Sequence, residues 1–433
     1  MINENTDIES FVKKIFKEKN IKKTFIPGET LIPPSGKLIG YEETKNMVLA
    51  SFDGWLTTGR FNSEFQEKLS KFLNVKHLVT VNSGSSANLL AFSSLTSHLH
   101  KDKAIKAGDE VISVAAGFPT TVNPIFQNGA VPVFVDIKLP TYNINEELIE
   151  EAITNKTKAI MLAHTLGNPF NVQKVLEICK KYNLWLIEDN CDALGSKFNG
   201  QYTGTFGDAA TLSFYPAHHI TMGEGGAIFT NNNRIKRVVE SFRDWGRDCY
   251  CEPGVENTCK KRFEWQLGKL PFGYDHKYIY SHIGFNMKIT DMQAACGLGQ
   301  LENLDNFIQK RKTNVLFLKK ELSDLQSEIM LPEAEINSEP SWFGFPITLK
   351  KESKFKRTNI IKKLTENKIG TRLLFAGNLT NQPAYISKNF RVQGKLDTTD
   401  LIMNNTFWVG IQPAIGEEEL SFTAKIIKDF FKK

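Results

Sequence analysis

The sequence predicts an α/β fold built around a largely parallel sheet, and three features of the chain support this. Short β-branched runs alternate with helical patterns from about residue 40 to residue 230, as expected of helices that pack on a parallel sheet. The chain has 433 residues, enough for a large core and for two or three domains, of which two are favoured. Its apolar content of 41% and charged content of 24% are typical of globular proteins.

The first elements are an amphipathic helix and a linker. Behind possible caps at residues 5–7, apolar residues recur at helical spacing, namely Ile8, Phe11, Val12, Ile15 and Phe16. The segment FIPGETLIPPSGK, residues 25–37, is rich in proline and glycine and is predicted to be extended. Residues 1–38 are therefore assigned to an N-terminal helix and linker.

Seven strands are then predicted in a large domain spanning residues 39–300. Their sequences are HLVTVNS, DEVISVA, VPVFVDI, TKAIMLAHT, NLWLIEDN, AATLSFY and GAIFTNN. Helices are predicted from Ser85 and over residues 172–181. Because parallel strands end at one edge of a sheet, the functional residues are expected where strands end and helices begin.

The rest of the chain divides into an insertion and a smaller domain. Residues 244–289, rich in Cys, Gly, Pro and aromatic residues, have no clear period, and long irregular segments in compact proteins are often functional. From Thr290 the pattern is helical for many turns. Residues 301–433 are predicted to form a small α+β domain with strands near residues 342–349 and 372–374.

Charge and hydropathy exclude several classes of function. Lys plus Arg number 54 against 48 for Asp plus Glu, a net charge of +6 spread along the chain. This excess favours anionic substrates, whereas nucleic-acid or membrane binding would need a clustered patch. Apolar runs are only strand-sized, and the N-terminus lacks the apolar core of a signal peptide. A cytoplasmic location is expected.

Four of the six cysteines require an explanation. Disulfides are not expected in that compartment, and Cys179 and Cys296 fit the apolar stripes of helices. The others form the pattern Cys-x57-Cys-x-Cys-x7-Cys and are Cys191, Cys249, Cys251 and Cys259. Four thiolates suit a 2Fe–2S cluster or structural zinc. The Cys-x-Cys spacing is tight for zinc and gives iron–sulfur a slight lead.

Polar and aromatic residues follow several predicted strands. Gly84, Ser85 and Ser86 open a helix and could bind a phosphate, although a plain turn is the commoner role of such a motif. Asp189 ends a buried strand, where a carboxylate could pair with a protonated pyridine nitrogen or cap a helix. Phe118 could stack on a cofactor ring or pack in the core.

The segment SFYPAHHITMGEGG, residues 213–226, combines Ser213 and His218 with a glycine-rich loop. Such a loop lets the backbone approach a ligand closely. Histidine can move a proton, but unlike lysine it cannot form a Schiff base.

Taken together, these segments resemble the DegT/DnrJ/EryC1/StrS family of sugar aminotransferases, which are fold-type I pyridoxal phosphate enzymes. The resemblance runs in order from WLTTGRFNSEFQEKL through VNSGSSANLLAF, GDEVI, GAVPVFVDI, IEDN and SF(x)8GEGGA to GFNMKITDMQAA. It implies a two-domain, aspartate-aminotransferase-like fold. It further implies that Phe118 stacks on the cofactor ring, that Asp189 binds the ring nitrogen and that Asn286 binds the phosphate of the cofactor in the neighbouring subunit. The residues implied to bind the phosphate within the chain are Gly84, Ser85, Ser86 and Ser213. A homodimer with shared active sites follows from the last contact.

Three residues depart from the family pattern, at or close to the position of the Schiff-base lysine. His218 stands in place of the Schiff-base lysine, and Asp192 and Tyr215 stand where the aminotransferases usually have histidine. The resemblance therefore implies a rebuilt catalytic group of His218, Asp192 and Tyr215. His219 does not align with the lysine and is expected to be structural.

The cysteine spacing and His218 resemble the CDP-6-deoxy-sugar 3-dehydrases, the iron–sulfur members of this family. That resemblance implies non-covalent pyridoxamine 5'-phosphate, a 2Fe–2S cluster on the four cysteines and a separate NAD(P)H-dependent flavin and iron–sulfur reductase. The reaction implied is dehydration at C3 of CDP-4-keto-6-deoxyglucose in 3,6-dideoxyhexose biosynthesis, with His218 as the base. Cys191 lies two residues after Asp189, within about 7 Å along an extended chain, so a cluster bound there would be near the cofactor ring.

Three alternatives remain open from the sequence. One is a 3-dehydratase that needs no cluster, and another is an aminotransferase that uses a different lysine. The third is a non-catalytic protein that keeps the fold and binds structural zinc.

Overall fold

The computed structural model describes residues 4–19 and 24–432. The helices are α1 Glu4–Lys19, α2 Tyr41–Phe52, α3 Arg60–Leu73, α4 Gly84–Ser94, α5 Pro119–Gln127, α6 Ile149–Ala152, α7 Val172–Tyr182, α8 Asn233–Arg243, α9 Asp291–Leu301, α10 Leu304–Glu321, α11 Arg357–Glu366, α12 Asp397–Asn405 and α13 Glu417–Phe431. The strands are β1 His77–Val81, β2 Glu110–Val114, β3 Val131–Val135, β4 Ile137–Lys138, β5 Asn143–Ile144, β6 Thr157–Ala163, β7 Trp185–Asp189, β8 Lys197–Phe198, β9 Gln201–Tyr202, β10 Ala209–Ser213, β11 Gly226–Thr230, β12 Ile329–Met330, β13 Ser338–Glu339, β14 Phe345–Leu349, β15 Thr371–Leu373, β16 Arg391–Val392 and β17 Thr406–Val409.

The large sheet has the strand order β1-β11-β10-β7-β6-β2-β3-β16. Strand β11 is antiparallel to both neighbours, and the strands from β10 to β16 pair in parallel. The seven predicted strands are all present. The two-residue strand β16, which lies outside the predicted large domain, adds an eighth at the edge.

Helices cover both faces of this sheet because its strands are apolar on both sides. On one face, α4, α5 and α8 pack on side chains such as Val81 and Ile187. On the other face, α7 packs on Ile112 and Ile160, while α3 and α9 cover Leu212 and Phe229. The site-bearing strand ends are therefore held between two helical layers.

The C-terminal part forms a second sheet, with the order β12-β14-β17-β15. Helices α10, α11 and α13 pack on it around residues such as Phe345 and Phe407. The segment between β15 and α12 returns to the large sheet, where Leu379 and Tyr385 pack against Phe134. The C-terminal part therefore contributes to both sheets, and the proposed domain boundaries stay a prediction.

The other predicted elements are found within the described residues. The helical pattern after Thr290 is two helices, α9 and α10. The linker, predicted to be extended, contains a turn at residues 27–30 and then pairs Ile32 with Ile369 of the small domain. Residues 244–289 contain one short 3-10 turn, His276–Tyr278, and isolated bridges. None of the described helices combines the length and the apolar character needed to cross a bilayer.

Candidate active site

A cavity of about 1050 Å³ lies at the carboxyl ends of the central strands, and we call it the strand-end cavity. Parallel pairing aligns Ala163 with Asp189 and Asp189 with Thr211, so residues that follow these strands meet at one edge. Side chains of the small domain, including Phe343, Arg372 and Trp408, close the other side. The cavity therefore lies between the two sheets, as expected for a ligand site at strand ends.

Asp189 is buried at the end of β7 and is held by several donors. Its Oδ2 atom accepts hydrogen bonds from Asn88 Nδ2 at 2.8 Å and Thr121 Oγ1 at 2.6 Å. The backbone N–H of Cys191 donates to Oδ1 at 3.2 Å. Thr211 in turn donates to Asn88 Oδ1 at 2.7 Å. These contacts fix the carboxylate, which lines the cavity and can face a cationic ring nitrogen.

The start of α4 lies against the cavity in close contact with β10 and β11. Ser83 caps the helix by accepting a hydrogen bond from the backbone N–H of Ser86 at 3.1 Å. A Cβ atom on Gly84 would come within 2.4 Å of Ser213 Cβ, so only glycine permits this approach. Gly84, Ser85 and Ser213 line the cavity. The helix N-terminus is thus suited to an anion such as a phosphate.

The predicted phosphate residue Ser86 is placed differently from its neighbours. Its hydroxyl accepts a hydrogen bond from Ser83 Oγ at 3.0 Å, and Ser86 is not among the cavity-lining residues. The capping contacts of its backbone N–H and hydroxyl account for its position. Its phosphate role stays a prediction.

Two aromatic residues line the cavity with large exposed areas. Phe118 precedes α5 with 53% of its surface exposed, and its ring packs edge-on against Phe375 at 5.8 Å. Tyr215 is 52% exposed and lies in the same turn as His218, whose backbone N–H donates to the Tyr215 carbonyl. Aromatic rings are usually buried in folded proteins. Because these two rings are exposed in the cavity, they are available to pack on a ligand.

His218 lies between Asp189 and Asp192 on the cavity wall. Its Nδ1 atom is 3.5 Å from Asp192 Oδ1 and has no hydrogen-bond partner among the described residues. Burial lowers the pKa of His218 to about 4, and the nearby Arg311 charge adds to this against the opposing effect of Asp189. The ring is therefore neutral near pH 7 and able to accept a proton.

The pKa of Asp192 is shifted in the opposite direction. Burial and the charge of Asp189 raise the pKa of Asp192 to about 8, although the Arg311 charge opposes the shift. Its carboxyl group is therefore mostly protonated near pH 7. A neutral histidine beside a neutral carboxyl group is suited to proton transfer. Many active sites use such a pair of groups, whose pKa values are shifted in opposite directions.

Arg311, which sequence reasoning missed, supports the His218 turn from α10. Its guanidinium is buried and donates to the backbone carbonyls of Trp342, Phe343 and His218 at 3.2, 3.0 and 3.3 Å. Burial lowers the pKa of Arg311 to about 10, while the Asp192 charge opposes the shift. The helical pattern of the sequence around Arg311 does not indicate this role. His219 is buried, and its Nε2 atom donates a hydrogen bond to the Ser341 carbonyl. Its structural role stays a prediction.

Basic residues are scarce around the cavity. Arg372 is the only arginine or lysine among the described residues that line it, and its side chain is exposed at the mouth. No described lysine lines the wall, so the structure offers no replacement for a Schiff-base lysine in that part of the chain.

The structure does not bring the four predicted metal ligands together. Cys191 lines the strand-end cavity, with its Sγ atom 3.8 Å from Thr211 Oγ1. The other three, which we call the loop cysteines, line a separate small cavity with Arg262, His276 and Lys277. Among the described residues, no group of three or more His, Cys, Asp or Glu side chains is placed to hold a metal ion. The shared site predicted for all four is therefore not formed within this chain.

The loop cysteines are nevertheless close to one another. Cys259 Sγ lies 3.7 Å from His276 Nδ1, and the backbone N–H of Thr258 donates to Cys251 Sγ at 3.4 Å. Burial raises the pKa of Cys251, but hydrogen bonds from Thr258 and Cys249 and the Lys277 charge outweigh burial, so the net shift is downward. This environment favours a thiolate.

Asn286 lies outside the strand-end cavity of its own chain. It is exposed, and its backbone pairs with Asp244. Its predicted role at a neighbouring subunit's phosphate stays a prediction.

Comparisons with known proteins match most of the chain to one family. The sequence model of the DegT/DnrJ/EryC1/StrS aminotransferase family matches residues 38–428. Lipopolysaccharide biosynthesis protein RfbH of Salmonella typhimurium is 59% identical over 424 residues, covering 98% of this chain and 97% of the relative. The dTDP-4-dehydro-2,6-dideoxy-D-glucose 3-dehydratase of Saccharopolyspora spinosa is 48% identical over 410 residues, covering 95% of this chain and 88% of the relative.

A solved structure also matches the fold. GDP-4-keto-6-deoxy-D-mannose-3-dehydratase from E. coli, with bound hydrated PLP, superposes with a TM-score of 0.81 at 28% identity. The match covers 91% of this chain and 98% of that one. The predicted pyridoxal-phosphate-enzyme fold is confirmed.

Proposed function

The chain belongs to the DegT/DnrJ/EryC1/StrS aminotransferase family, and from that premise we propose that it is a sugar-nucleotide 3-dehydrase that holds pyridoxamine 5'-phosphate without a covalent bond. One observation carries the proposal. His218 stands in the strand-end cavity, and no described lysine lines that cavity. An aminotransferase needs a lysine for its Schiff base and proton shuttle, whereas a base without a covalent bond to the cofactor can serve a dehydration.

The residues present fit this cofactor. Asp189 would hold the ring nitrogen, the start of α4 at Gly84 and Ser85 together with Ser213 would hold the phosphate, and Phe118 would cover the ring. When bound, the cofactor supplies an amine that condenses with a keto group and a ring that accepts electrons. His218 would then remove a proton from the exocyclic carbon of the cofactor, since its ring lines the cavity and burial keeps it neutral.

Asp192 and Tyr215 would assist this proton transfer. Asp192 lies 3.5 Å from His218 Nδ1 and can share a proton with it. Tyr215 is half exposed and lines the same cavity. Arg311 keeps the turn that carries His218 in place through its bond to the His218 carbonyl.

We assign CDP-4-keto-6-deoxyglucose as the substrate, within 3,6-dideoxyhexose biosynthesis. The cysteine spacing supports this choice, because it resembles that of the CDP-sugar 3-dehydrases. By their names, two of the relatives given above act on dTDP- and GDP-linked 4-keto sugars. Their names support the reaction class, and the identity of the nucleotide base is the point to test. Arg372 at the mouth is placed to meet the diphosphate.

The reaction also needs an electron donor. Loss of the C3 hydroxyl breaks a C–O bond and releases water, and replacing it by hydrogen takes up two electrons and two protons. We propose that these come from NAD(P)H through a separate flavin and iron–sulfur reductase, with a 2Fe–2S cluster on Cys191, Cys249, Cys251 and Cys259. The spacing of the cysteines supports the cluster, while their positions within one chain do not assemble it.

The enzyme is proposed to act as a homodimer with shared active sites. Asn286 is exposed and lies outside its own cavity, as expected of a side chain that serves the neighbouring subunit's phosphate site.

The test is product analysis with matched substrates. The protein, loaded with pyridoxamine phosphate and reconstituted with iron and sulfide, is incubated with NADH, a flavin and iron–sulfur reductase, and the CDP-, dTDP- or GDP-linked 4-keto-6-deoxy sugar. We expect the CDP sugar to lose one oxygen atom by mass spectrometry and the other two to react at least tenfold more slowly.

Other products would identify the alternatives. Loss of oxygen with glutamate alone, without reductase, would identify a cluster-independent 3-dehydratase. A product that gains nitrogen would identify an aminotransferase. No reaction, together with bound zinc, would support a structural protein.

A further inference from the structure

Helix α10 joins the cores that surround the two sheets, and Arg311 lies where these cores meet. Ile308 packs in the core with α3 and α9, whereas Val315 and Leu318 pack in the core of the small-domain sheet. Arg311 lies about one turn from both Ile308 and Val315, on the same face of the helix. With 1% of its surface exposed, it occupies a position where helical spacing predicts an apolar residue. A cation at this position requires an explanation.

The Arg311 guanidinium binds three backbone carbonyls and no carboxylate. It donates to the carbonyls of Trp342, Phe343 and His218. Within the part of the chain that the structure describes, it forms no ion pair with an Asp or Glu side chain, and its Nε atom has no hydrogen-bond partner. Burial of a cation without a contacting anion is costly. Arg311 therefore keeps a positive charge directly behind the turn that carries His218.

These carbonyls belong to both parts of the molecule. Trp342 and Phe343 precede β14 of the small domain, whereas His218 follows β10 of the large sheet. The Phe343 ring, which lines the strand-end cavity, lies 5.2 Å from the His218 ring and 5.6 Å from the Trp408 ring. Arg311 thus connects the turn of His218 to the aromatic pair Phe343 and Trp408, which we call the aromatic wall.

The charge of Arg311 differs from that of the other groups around His218. The titratable groups that surround this ring are Asp189, Cys191, Asp192, Tyr215, His219 and Arg311. Arg311 is the permanent cation of this set, and it is buried. Two further cations, Lys37 and Arg372, belong to residues that line cavities next to His218, but both residues are exposed and their charges are screened by solvent.

Both members of the proposed proton-transfer pair respond to this charge. Burial is the largest cause of the low pKa of His218; the Asp189 charge opposes it, and the Arg311 charge adds to it. Burial and the Asp189 charge raise the pKa of Asp192, and the Arg311 charge opposes that rise. A cation at this position disfavours protonation of either group.

We propose that Arg311 is a positioning residue for the base: it joins the His218 turn to the aromatic wall and supplies a positive charge that keeps the His218 ring free to accept a proton. The inference rests on the proposed function only for the role of His218 as the base. It accounts for an arginine at a buried helix position between two apolar cores. It also separates two contributions of Arg311, namely the hydrogen bonds that hold the turn and the charge that acts on the ring.

A matched pair of substitutions distinguishes the charge from the hydrogen bonds. Arg311→Gln and Arg311→Lys each keep a donor for a backbone carbonyl, and neither keeps the guanidinium fork, but only lysine keeps the charge. The full-length chain is labelled with ¹³C in its eight histidine rings and titrated without added cofactor by nuclear magnetic resonance. The His218 signal is assigned by its absence from the spectrum of His218→Asn.

We expect Arg311→Gln to raise the proton affinity of the His218 ring about tenfold, because a nearby like charge that opposes protonation is lost. At pH 5.5 the charged fraction of a ring with a pKa of about 4 would then rise from about 3% to about a quarter. Arg311→Lys should leave this fraction within about twofold of the wild-type value. Arg311→Met is the second neutral variant, used if Arg311→Gln yields no folded protein.

Arg357 provides the control for a general loss of stability. Its guanidinium also donates to backbone carbonyls, those of Met403 and Thr406, but Arg357 does not line the strand-end cavity. Arg357→Gln should lower thermal stability and leave the His218 titration unchanged.

Two results would overturn the electrostatic role. One is a neutral Arg311 variant with a wild-type His218 titration. The other is an equal shift in Arg311→Gln and Arg311→Lys, which would assign the effect to the lost hydrogen bonds. Neither result depends on turnover, so they are distinct from a failure of the proposed function, which would appear as retained dehydration in His218→Asn.

Discussion

The strand-end cavity and the insertion carry the two halves of the proposed chemistry, and they are built differently. The cavity is bounded by buried strands and by hydrogen bonds to side chains such as Asp189, which accepts from Asn88 and Thr121. The insertion at residues 244–289 lacks regular strands and is held by ion pairs such as those of Arg262 with Glu256 and Asp275. The residues proposed to transfer protons lie in the cavity, beside these buried strands.

This difference has a physical reason. A general base must lie within hydrogen-bond distance of its proton, and small displacements are costly. A cluster instead receives its geometry from the metal–ligand bonds once it is bound. An irregular loop can therefore carry the proposed metal ligands, whereas the turn of the proposed base His218 accepts a hydrogen bond from the buried Arg311.

The largest predicted effect lies in the cavity. His218→Asn keeps a polar, planar side chain but removes the proposed base, so we expect dehydration to fall by about 10²- to 10⁴-fold, the usual contribution of a general base. Binding of pyridoxamine phosphate, followed by its absorbance, should change less than about threefold, because Asp189 and the start of α4 are the residues proposed to hold the cofactor.

His219 offers a matched control next to this residue. His219→Asn removes the contact with the Ser341 carbonyl, so it should lower thermal stability while a larger share of turnover per folded molecule survives. Undiminished turnover in His218→Asn would remove His218 from its role as base. It would leave the constrained cavity without a proton acceptor.

The second prediction concerns pH and the same side chain. Burial lowers the pKa of His218 to about 4 from an ordinary value of 6.5. The unfolded chain therefore binds a proton at this residue below pH 6.5 while the folded chain does not, and acidification favours unfolding. Between pH 7 and pH 5, the wild type should lose about 2 kcal/mol more stability than His218→Asn.

Urea unfolding at several pH values measures this difference. Glu256→Gln, at the exposed side of the insertion, serves as the control and should follow the wild-type pH dependence, because exposed ion pairs contribute little. Parallel curves for wild type and His218→Asn would show that the His218 ring is not buried in a neutral form. The cavity would then be more open to solvent than the structure shows.

Sequence reasoning placed the cavity residues well and the insertion poorly. Asp189, Phe118 and Ser213 each follow or end a parallel strand, and the convergence of strand ends brings them to one edge. Asn88 and Thr121, which hold Asp189, were missed because a buried polar residue inside a helix resembles any helix-packing position. The clue was that Asn88 lies one turn after Gly84, on the face toward the cavity.

The insertion shows where such reasoning ends. The spacing of Cys191 from Cys249, Cys251 and Cys259 predicts a shared site, but 57 residues separate the first two. No periodic pattern relates a strand end to an irregular loop across that distance. The structure places them in different cavities, and the spacing alone could not predict this separation.

The smallest predicted effect concerns the constraint on the insertion itself. Asp248→Asn weakens the bonds to His276 and Ser281, and loss of a charged hydrogen bond costs roughly 1.5 kcal/mol, about a tenfold change in local opening. In the reduced, metal-free protein, alkylation of the loop cysteines should therefore become about tenfold faster, measured by mass spectrometry of each peptide. Cys179 and Cys296 are internal standards, because burial raises the pKa of their thiols to about 12 and about 11. Cofactor binding and Cys191 alkylation should not change, since Asp248 makes no contact with the strand-end cavity. Faster alkylation of Cys191 would show that the two regions are mechanically coupled within one chain, which would contradict their separation.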